Sequence, residues 1–202
     1  MKKLIISAAC MLIIITGNAF AEGGDPDKGK EKSAACVACH GADGNSPIPT
    51  WPKLAGQNAQ YLEKQLSDYL AGNRKNDQMS PMAAVLTVDD IPHVAAYFAS
   101  QMIKPGVAKQ DMVEMGEMLY RAGDSATGVT ACTGCHGPTG TGNSVAGYPS
   151  LHGQHAAYTK AQLKAFKSGD RSNDSNSAMR IAALRMTDEQ IEAVSEYIQG
   201  LY

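Results

Sequence analysis

The sequence has no surplus of positive charge and, beyond its N-terminal region, no long apolar run. Its 202 residues include 18 Lys and Arg against 20 Asp and Glu, a formal net charge of −2. Nucleic-acid binding relies on a basic surface, so this balance argues against a nucleic-acid partner. A membrane-spanning helix needs about 20 consecutive apolar residues. We therefore expect at most a peripheral or transient contact with a membrane.

The first residues predict a secretory signal peptide. Lys2 and Lys3 precede an apolar run over residues 4–15, and Ala19-Phe20-Ala21 fits an A-x-A cleavage site. Cleavage after Ala21 predicts export to the periplasm and removes two lysines, which changes the formal charge to −4.

Cysteine is scarce in the remaining chain. One of the five cysteines, Cys10, lies in the apolar run, and we interpret it as part of the discarded peptide. A lipoprotein signal is the alternative, but Cys10 comes very early for one. The other four lie in two copies of the pattern C-x-x-C-H, at 36–40 and 132–136. No cysteine is left for a structural disulfide, although disulfides persist in exported proteins.

The pattern C-x-x-C-H is typical of covalent attachment of a c-type haem. Two thiols three positions apart can bond to the two vinyl groups of a porphyrin, and the adjacent histidine can ligate the iron. A structural zinc site needs about four ligands, whereas each motif offers at most three, which argues against zinc. A thioredoxin-like redox site is the other alternative for C-x-x-C, but it is expected in a βαβ unit. We therefore predict two covalently bound haem c groups, attached and ligated by Cys36, Cys39, His40, Cys132, Cys135 and His136.

The second half of the mature chain repeats the first. Residues 51–57 (WPKLAGQ) correspond to 148–154 (YPSLHGQ) at an offset of 97, and the later identities continue at an offset of 100. So many identities in register indicate a duplicated domain. We expect a signal peptide at 1–21, domains at 22–103 and 110–202, and a linker at 104–109.

Both copies show helical signals and almost no strand signals, which predicts an all-α fold. Apolar residues recur at the helical period. Thr187 and Gln190 predict a capping box, and Thr87 with Asp90 is a weaker variant of the same signal. The predicted helical segments are 27–35, 58–71, 88–101, 109–121, 155–168 and 188–199.

The repeat also selects a distal iron ligand, because a duplicated site should keep its ligand in both copies. Met79 corresponds to Met179, whereas neither Met82 nor Met186 has a methionine counterpart. We therefore predict Met79 and Met179 as distal ligands, with Met82, one helical turn from Met79, as the main competitor. The remaining histidines have no histidine counterpart and are expected at the surface or in packing: His93, His152 and His155.

The second nitrogen of each proximal histidine needs a hydrogen-bond partner. Pro52 follows His40 by 12 residues and Pro149 follows His136 by 13, and we predict that their carbonyls accept this bond. The repeated R-x-N-D segments, 74–77 and 171–174, could contact haem propionates or brace the methionine loops. The alternative is a solvated turn with local Asx hydrogen bonds.

The mature chain resembles the cytochrome c4 family. The resemblance rests on both C-x-x-C-H motifs and on residues 52–57, 151–154, 155–158 and 197–201. It implies two tandem cytochrome c domains related by a pseudo-twofold axis, with the haems facing each other through their propionate edges. It also implies His/Met ligation, which falls here on His40 with Met79 and on His136 with Met179.

The resemblance implies electron transfer toward membrane terminal oxidases, notably of the cbb3 type. We expect a periplasmic dihaem carrier, reduced by a quinol:cytochrome c reductase or a periplasmic dehydrogenase, with no small-molecule substrate of its own. The alternative is the electron-accepting subunit of a dehydrogenase, such as flavocytochrome c sulfide dehydrogenase. A dihaem peroxidase fits less well, because His/Met ligation leaves no open coordination position.

Overall fold

The computed structural model describes residues 23–202, so the predicted signal peptide and Cys10 lie outside the described residues. Within them the chain is helical and contains no strand, which confirms the all-α prediction. The helices of the first half are α1 Pro26–Lys32, α2 Ala34–His40, α3 Ala59–Leu70, α4 Met79–Ala83 and α5 Asp90–Ala99. Those of the second half are α6 Gln110–Ala122, α7 Thr133–His136, α8 Ala156–Ser168, α9 Ala178–Leu184 and α10 Asp188–Gly200. None of these helices is long and apolar enough to cross a membrane.

Each half packs its first helix on its last. Helix α1 contacts α5, and α6 contacts α10 in the same way. Helix α3 also packs on α5, and α8 on α10. Each half also has its own cluster of buried apolar side chains. The first cluster comprises Leu62, Val94, Ala95, Tyr97 and Phe98. The second comprises Leu119, Tyr120, Val129, Met186, Ile191, Val194, Tyr197, Ile198 and Leu201.

The first and last helices of each half approach each other at a glycine. A Cβ atom added to Gly29 would lie 1.9 Å from the carbonyl oxygen of His93, and one added to Gly116 would lie 2.3 Å from that of Ala193. Both distances are far below van der Waals contact with a carbon atom. The two helices can therefore pack this closely only because these positions carry no side chain.

The last helix of each half begins near a threonine that pairs with the residue three positions later. The predicted capping box forms: Gln190 N–H donates to Thr187 Oγ1 (3.1 Å), and Thr187 N–H donates to Gln190 Oε1 (2.9 Å). In the first half Thr87 N–H and its hydroxyl both donate to the Asp90 carboxylate. Helix α5 begins at Asp90, two residues later than predicted.

The segments that differ between the halves form local turns. The three residues gained before Met179 form a 3₁₀ turn, Ser175–Ser177, in which Asn176 and Ser177 have left-handed φ angles of 53° and 58°. Before the second motif, Asp124 and Val129 close a short turn by exchanging two backbone hydrogen bonds of 2.9 Å. Both differences therefore leave the helical framework of the repeat intact.

The glycine contact in the second half can be tested by adding one methyl group. Gly116→Ala should lower the free energy of unfolding of the holoprotein by about 2–3 kcal/mol, because the new Cβ overpacks α6 against α10. Glu114→Ala, at an exposed position of the same helix, is the control and should change it by less than about 0.5 kcal/mol. Denaturant unfolding measures both, and equal effects would contradict the close-packing interpretation.

Candidate haem sites

Each C-x-x-C-H motif lies at a short helix: residues 36–40 are within α2, and Cys132 directly precedes α7. Cys36 and Cys132 are partly buried against the apolar cluster of their own half, whereas Cys135 is exposed. Burial raises the pKa of the Cys36 thiol and raises that of Cys132 to about 11. Each motif therefore presents one neutral thiol at the edge of the apolar core and a second thiol three residues further along, as attachment of a largely apolar ring requires.

The two motif histidines are buried, each with 4% of its surface exposed. His40 Nδ1 lies 2.8 Å from the carbonyl oxygen of Pro52, and His136 Nδ1 lies 2.9 Å from that of Pro149. Because a carbonyl can only accept, Nδ1 carries the proton and Nε2 has the free lone pair. Nε2 of His136 is buried without any hydrogen-bond partner in the protein. A buried nitrogen in this state is well suited to ligate a metal.

Burial lowers the pKa of both His40 and His136, and the bond to the proline carbonyl opposes this only in part. The imidazoles are therefore neutral, which is the form that binds iron. The residues of each half thus fit a haem c: two thiols for its vinyl groups and an oriented, neutral imidazole for its iron.

The loop of residues 44–56, here called the proline loop, is held against His40 by backbone hydrogen bonds. The carbonyl of Gly44 accepts from Leu54 N–H (2.7 Å), and Gly56 N–H donates to the carbonyl of Phe98 at the end of α5 (3.0 Å). The loop is therefore fixed both to the turn after the motif and to the last helix. The second half repeats both bonds, at the same distances, with Gly140, Leu151, Gly153 and Ile198.

The four candidate methionines occupy different environments. Met79 is the first residue of α4, Met179 is the second residue of α9, and both are half-buried. Met82 is 37% exposed. Met186 is 4% exposed and belongs to the apolar cluster of the second half, so packing accounts for its side chain.

Side chains of the repeated R-x-N-D segments fix both methionine-bearing helices. Asn76 Oδ1 accepts from the backbone N–H of Met79 (2.8 Å). In the second half Asp174 fixes the start of α9 instead. Its carboxylate accepts from the backbone N–H (3.0 Å) and from Nε (2.8 Å) of Arg180, the residue after Met179. These contacts support the bracing interpretation of the segment.

The arginines of the same segments lie elsewhere, at the contact between the two halves. Arg74 and Arg171 are 9% and 8% exposed, so the solvated-turn alternative is wrong for them. Arg74 donates to Gln65 (2.8 Å) and to Gln162 of the other half (3.0 Å). Arg171 donates to the same two glutamines, at 2.9 and 2.8 Å. Two guanidiniums and two amides thus form one closed, pseudo-symmetric cluster.

Two tyrosines complete this arginine cluster. Arg74 donates to the hydroxyl of Tyr158 (3.1 Å) and Arg171 to that of Tyr61 (2.9 Å), each across the contact between the halves. Burial acts to raise the pKa of Tyr158, but Arg74 and Arg171 outweigh it and leave the pKa lowered. The phenol oxygen is therefore a good acceptor for a buried guanidinium.

A second set of contacts joins the halves beside the two prolines. Gln154 pairs with the backbone of Lys53: Oε1 accepts from its N–H (2.9 Å) and Nε2 donates to its carbonyl (2.8 Å). Gln57 pairs with Ser150 in the same two-bond manner, both at 2.8 Å. We call these four residues the glutamine clasp. The sequence did not predict these contacts, although the pair Gly-Gln is repeated in both copies.

Other metal chemistry finds no support in residues 23–202. No group of three or more His, Cys, Asp or Glu in that range could hold a metal ion. The remaining histidines each make a hydrogen-bond contact elsewhere. His93 is paired with Asp25 N–H (2.8 Å), His152 with Ser150 Oγ (2.9 Å) and His155 with Ser46 O (2.8 Å).

Two helical domains, each presenting a C-x-x-C-H motif with an oriented histidine, define a dihaem c-type cytochrome. The cytochrome c family model matches residues 26–101 and 114–202. Cytochrome c4 of Thiocapsa roseopersicina is 51% identical over 88% of this chain and 93% of its own. The crystal structure of reduced recombinant cytochrome c4 from Pseudomonas stutzeri superposes with a TM-score of 0.86, at 48% identity over 89% of this chain and all of its own. The chain belongs to the cytochrome c4 family of cytochromes c.

A further relative has a more specific name. The thiosulfate dehydrogenase electron acceptor of Thiomonas intermedia is 41% identical over 83% of this chain and 78% of its own.

Family membership makes this chain an electron-transfer protein with two covalently bound haem c groups, and not an enzyme.

The Asn76 contact predicts a local effect at α4. Asn76→Ala should lower the stability of the first turn of α4 by about 1 kcal/mol, because the N–H groups of Gln78 and Met79 both lose their acceptor. Hydrogen exchange of the Met79 amide measures this as faster exchange. Asp77→Ala, at the exposed neighbouring position, is the control and should leave the exchange unchanged; equal acceleration in both variants would contradict the bracing role.

Proposed function

We propose that His40 with Met79 and His136 with Met179 are the axial ligand pairs of the two haems, which are attached at Cys36 with Cys39 and Cys132 with Cys135. The domains then span 22–103 and 110–202, joined by the linker at 104–109. The observation that carries the proposal is the repeat of the whole arrangement. Each half orients its histidine on a proline carbonyl and fixes the start of its methionine-bearing helix with a side chain of the R-x-N-D segment.

The proposed ligation suits a carrier of electrons. When bound, each haem supplies a one-electron Fe(III)/Fe(II) couple. A methionine in the sixth position raises the reduction potential and leaves no site for an external ligand. The carbonyls of Pro52 and Pro149 keep the histidines in the tautomer whose Nε2 lone pair is free to ligate iron. Two such sites on one chain give it a capacity of two electrons.

We further propose that the carrier works in the periplasm. The predicted signal peptide and the covalent haem motifs support export. Its electrons come from a quinol-oxidising complex or a periplasmic dehydrogenase and go to a membrane terminal oxidase, of the cbb3 type by family resemblance. The formal charge of −4 after signal cleavage, to which propionates add, favours partners with basic docking surfaces.

A dedicated role with one dehydrogenase is the second candidate. The relative named as a thiosulfate dehydrogenase electron acceptor favours it, since it is 41% identical to this chain. In this role the donor is a single periplasmic enzyme, whereas the general carrier accepts electrons from a quinol-oxidising complex as well.

The distal ligand can be tested by comparing two methionines of the second domain. Met179→Ala should remove the methionine–iron charge-transfer band of one ferric haem and lower its reduction potential, leaving the other haem nearly unchanged. Met186→Ala should keep both bands and lower the free energy of unfolding by about 2–5 kcal/mol, because it opens a cavity in the core. Loss of the band in Met186→Ala alone would contradict the proposed ligand.

The two candidate functions differ in the electron donor. Stopped-flow mixing of the oxidised protein with a quinol:cytochrome c reductase and, separately, with a purified thiosulfate dehydrogenase measures the reduction rate by each. A general carrier should be reduced rapidly by both and reoxidised by membranes that contain a cbb3-type oxidase. Rapid reduction by the dehydrogenase alone would favour the dedicated role, and failure to be oxidised by the membranes would contradict the carrier.

A further inference from the structure

The peptide group that orients each histidine is also bound by the opposite domain. The carbonyl of Pro52 and the N–H of Lys53 belong to one planar amide. His40 Nδ1 lies 2.8 Å from that carbonyl oxygen, and Gln154 Oε1 of the second domain accepts from that N–H at 2.9 Å. A continuous chain of hydrogen bonds therefore runs from the proximal histidine of one domain to a glutamine of the other.

The second domain has the reciprocal chain. His136 Nδ1 lies 2.9 Å from the carbonyl oxygen of Pro149, and the N–H of the same amide, on Ser150, donates to Gln57 of the first domain at 2.8 Å. Lys53, Ser150, Gln57 and Gln154 are all buried. Water therefore has little access to the two amides, and the glutamines are their partners on the N–H side.

Hydrogen bonds on the two ends of one amide strengthen each other, because accepting at the carbonyl and donating at the N–H polarise the same group. A glutamine oxygen on the N–H makes the proline carbonyl a stronger acceptor for histidine Nδ1–H. A stronger acceptor raises the basicity of the imidazole as a ligand. A more basic imidazole stabilises the ferric iron that it ligates and so lowers the reduction potential.

We propose that Gln57 and Gln154 are positioning residues that act across the domain contact, each lowering the reduction potential of the haem in the other domain. The inference rests on the proposed ligation by His40 and His136. Docking of the two domains then contributes to both reduction potentials, because each domain supplies the glutamine that lowers the potential of the haem in the other.

The test replaces one glutamine by a residue of similar shape without an amide. Gln154→Met should raise the potential of the first-domain haem, which His40 ligates, and change the potential of the second-domain haem less. Gln57→Met should do the opposite. Redox titration followed by NMR, with haem signals assigned to each domain, gives the two potentials separately. The ¹⁵N chemical shift of His40 Nδ1 in the reduced protein should move toward that of a weaker hydrogen bond in Gln154→Met.

Neighbouring residues supply matched controls. His155 is paired with Ser46 O (2.8 Å) and Asn58 donates to Tyr148 O (2.9 Å), so both cross the same contact without touching the two amides. His155→Leu and Asn58→Leu should leave the order and separation of the potentials as in the unmodified protein. Shifts in these controls as large as those in the glutamine variants would overturn the proposal.

Three further results would overturn it: no shift, a downward shift, or a shift mainly in the haem of the mutated domain. X-ray scattering of each variant should match that of the unmodified protein, because the arginine cluster still joins the domains, and separation of the domains would contradict a role of the glutamine limited to positioning. Failure of the proposed histidine ligation is distinguishable, because the ring signals of His40 and His136 in the reduced, unmodified protein would then lack the upfield ring-current shift of an imidazole bound to haem iron.

Discussion

The hydrogen bond from each motif histidine to a proline carbonyl is the interaction on which the rest of the structure depends. A buried imidazole can present Nε2 to iron only if Nδ1 is satisfied within the protein. The 2.8 Å and 2.9 Å contacts of His40 and His136 meet this requirement. The proline loop is held in the position that this bond needs by three sets of contacts: with the turn after each motif, with the end of the last helix of each half, and with the glutamine clasp. The two domains are therefore connected at the same peptide groups that orient the motif histidines.

Buried polar groups join the domains, and this has consequences for specificity. Buried arginines and amides destabilise a fold unless every donor finds an acceptor. Arg74 and Arg171 meet this condition by sharing Gln65 and Gln162, two glutamines from opposite domains. Such a cluster is satisfied in only one relative placement of the domains, whereas an apolar contact would tolerate sliding. The duplicated sequence thus encodes a defined docking geometry as well as two similar sites.

Local patterns predicted the longer helices and the duplication, because periodicity and capping are properties of the segment itself. They did not predict the short helices α2, α4, α7 and α9, which have too few turns to show a period. The capping box of Thr187 and Gln190 forms as predicted. The close approach at Gly116 was not predicted, since a glycine inside a helix gives no sign of what lies opposite. The cross-domain roles of Arg171 and Gln154 were missed for a related reason. Both residues recur in the repeat, but recurrence does not say whether a side chain faces its own domain or the other one.

The most direct test of the two His/Met sites is the NMR spectrum of the reduced holoprotein with labelled methionine methyl groups. A methionine that ligates haem iron lies over the ring, whose current shifts its methyl signal far upfield. We expect two such signals per chain, assigned to Met79 and Met179, with the Met82 and Met186 signals in the ordinary range. A single shifted signal, or assignment of either to Met82 or Met186, would contradict the equivalence of the two sites.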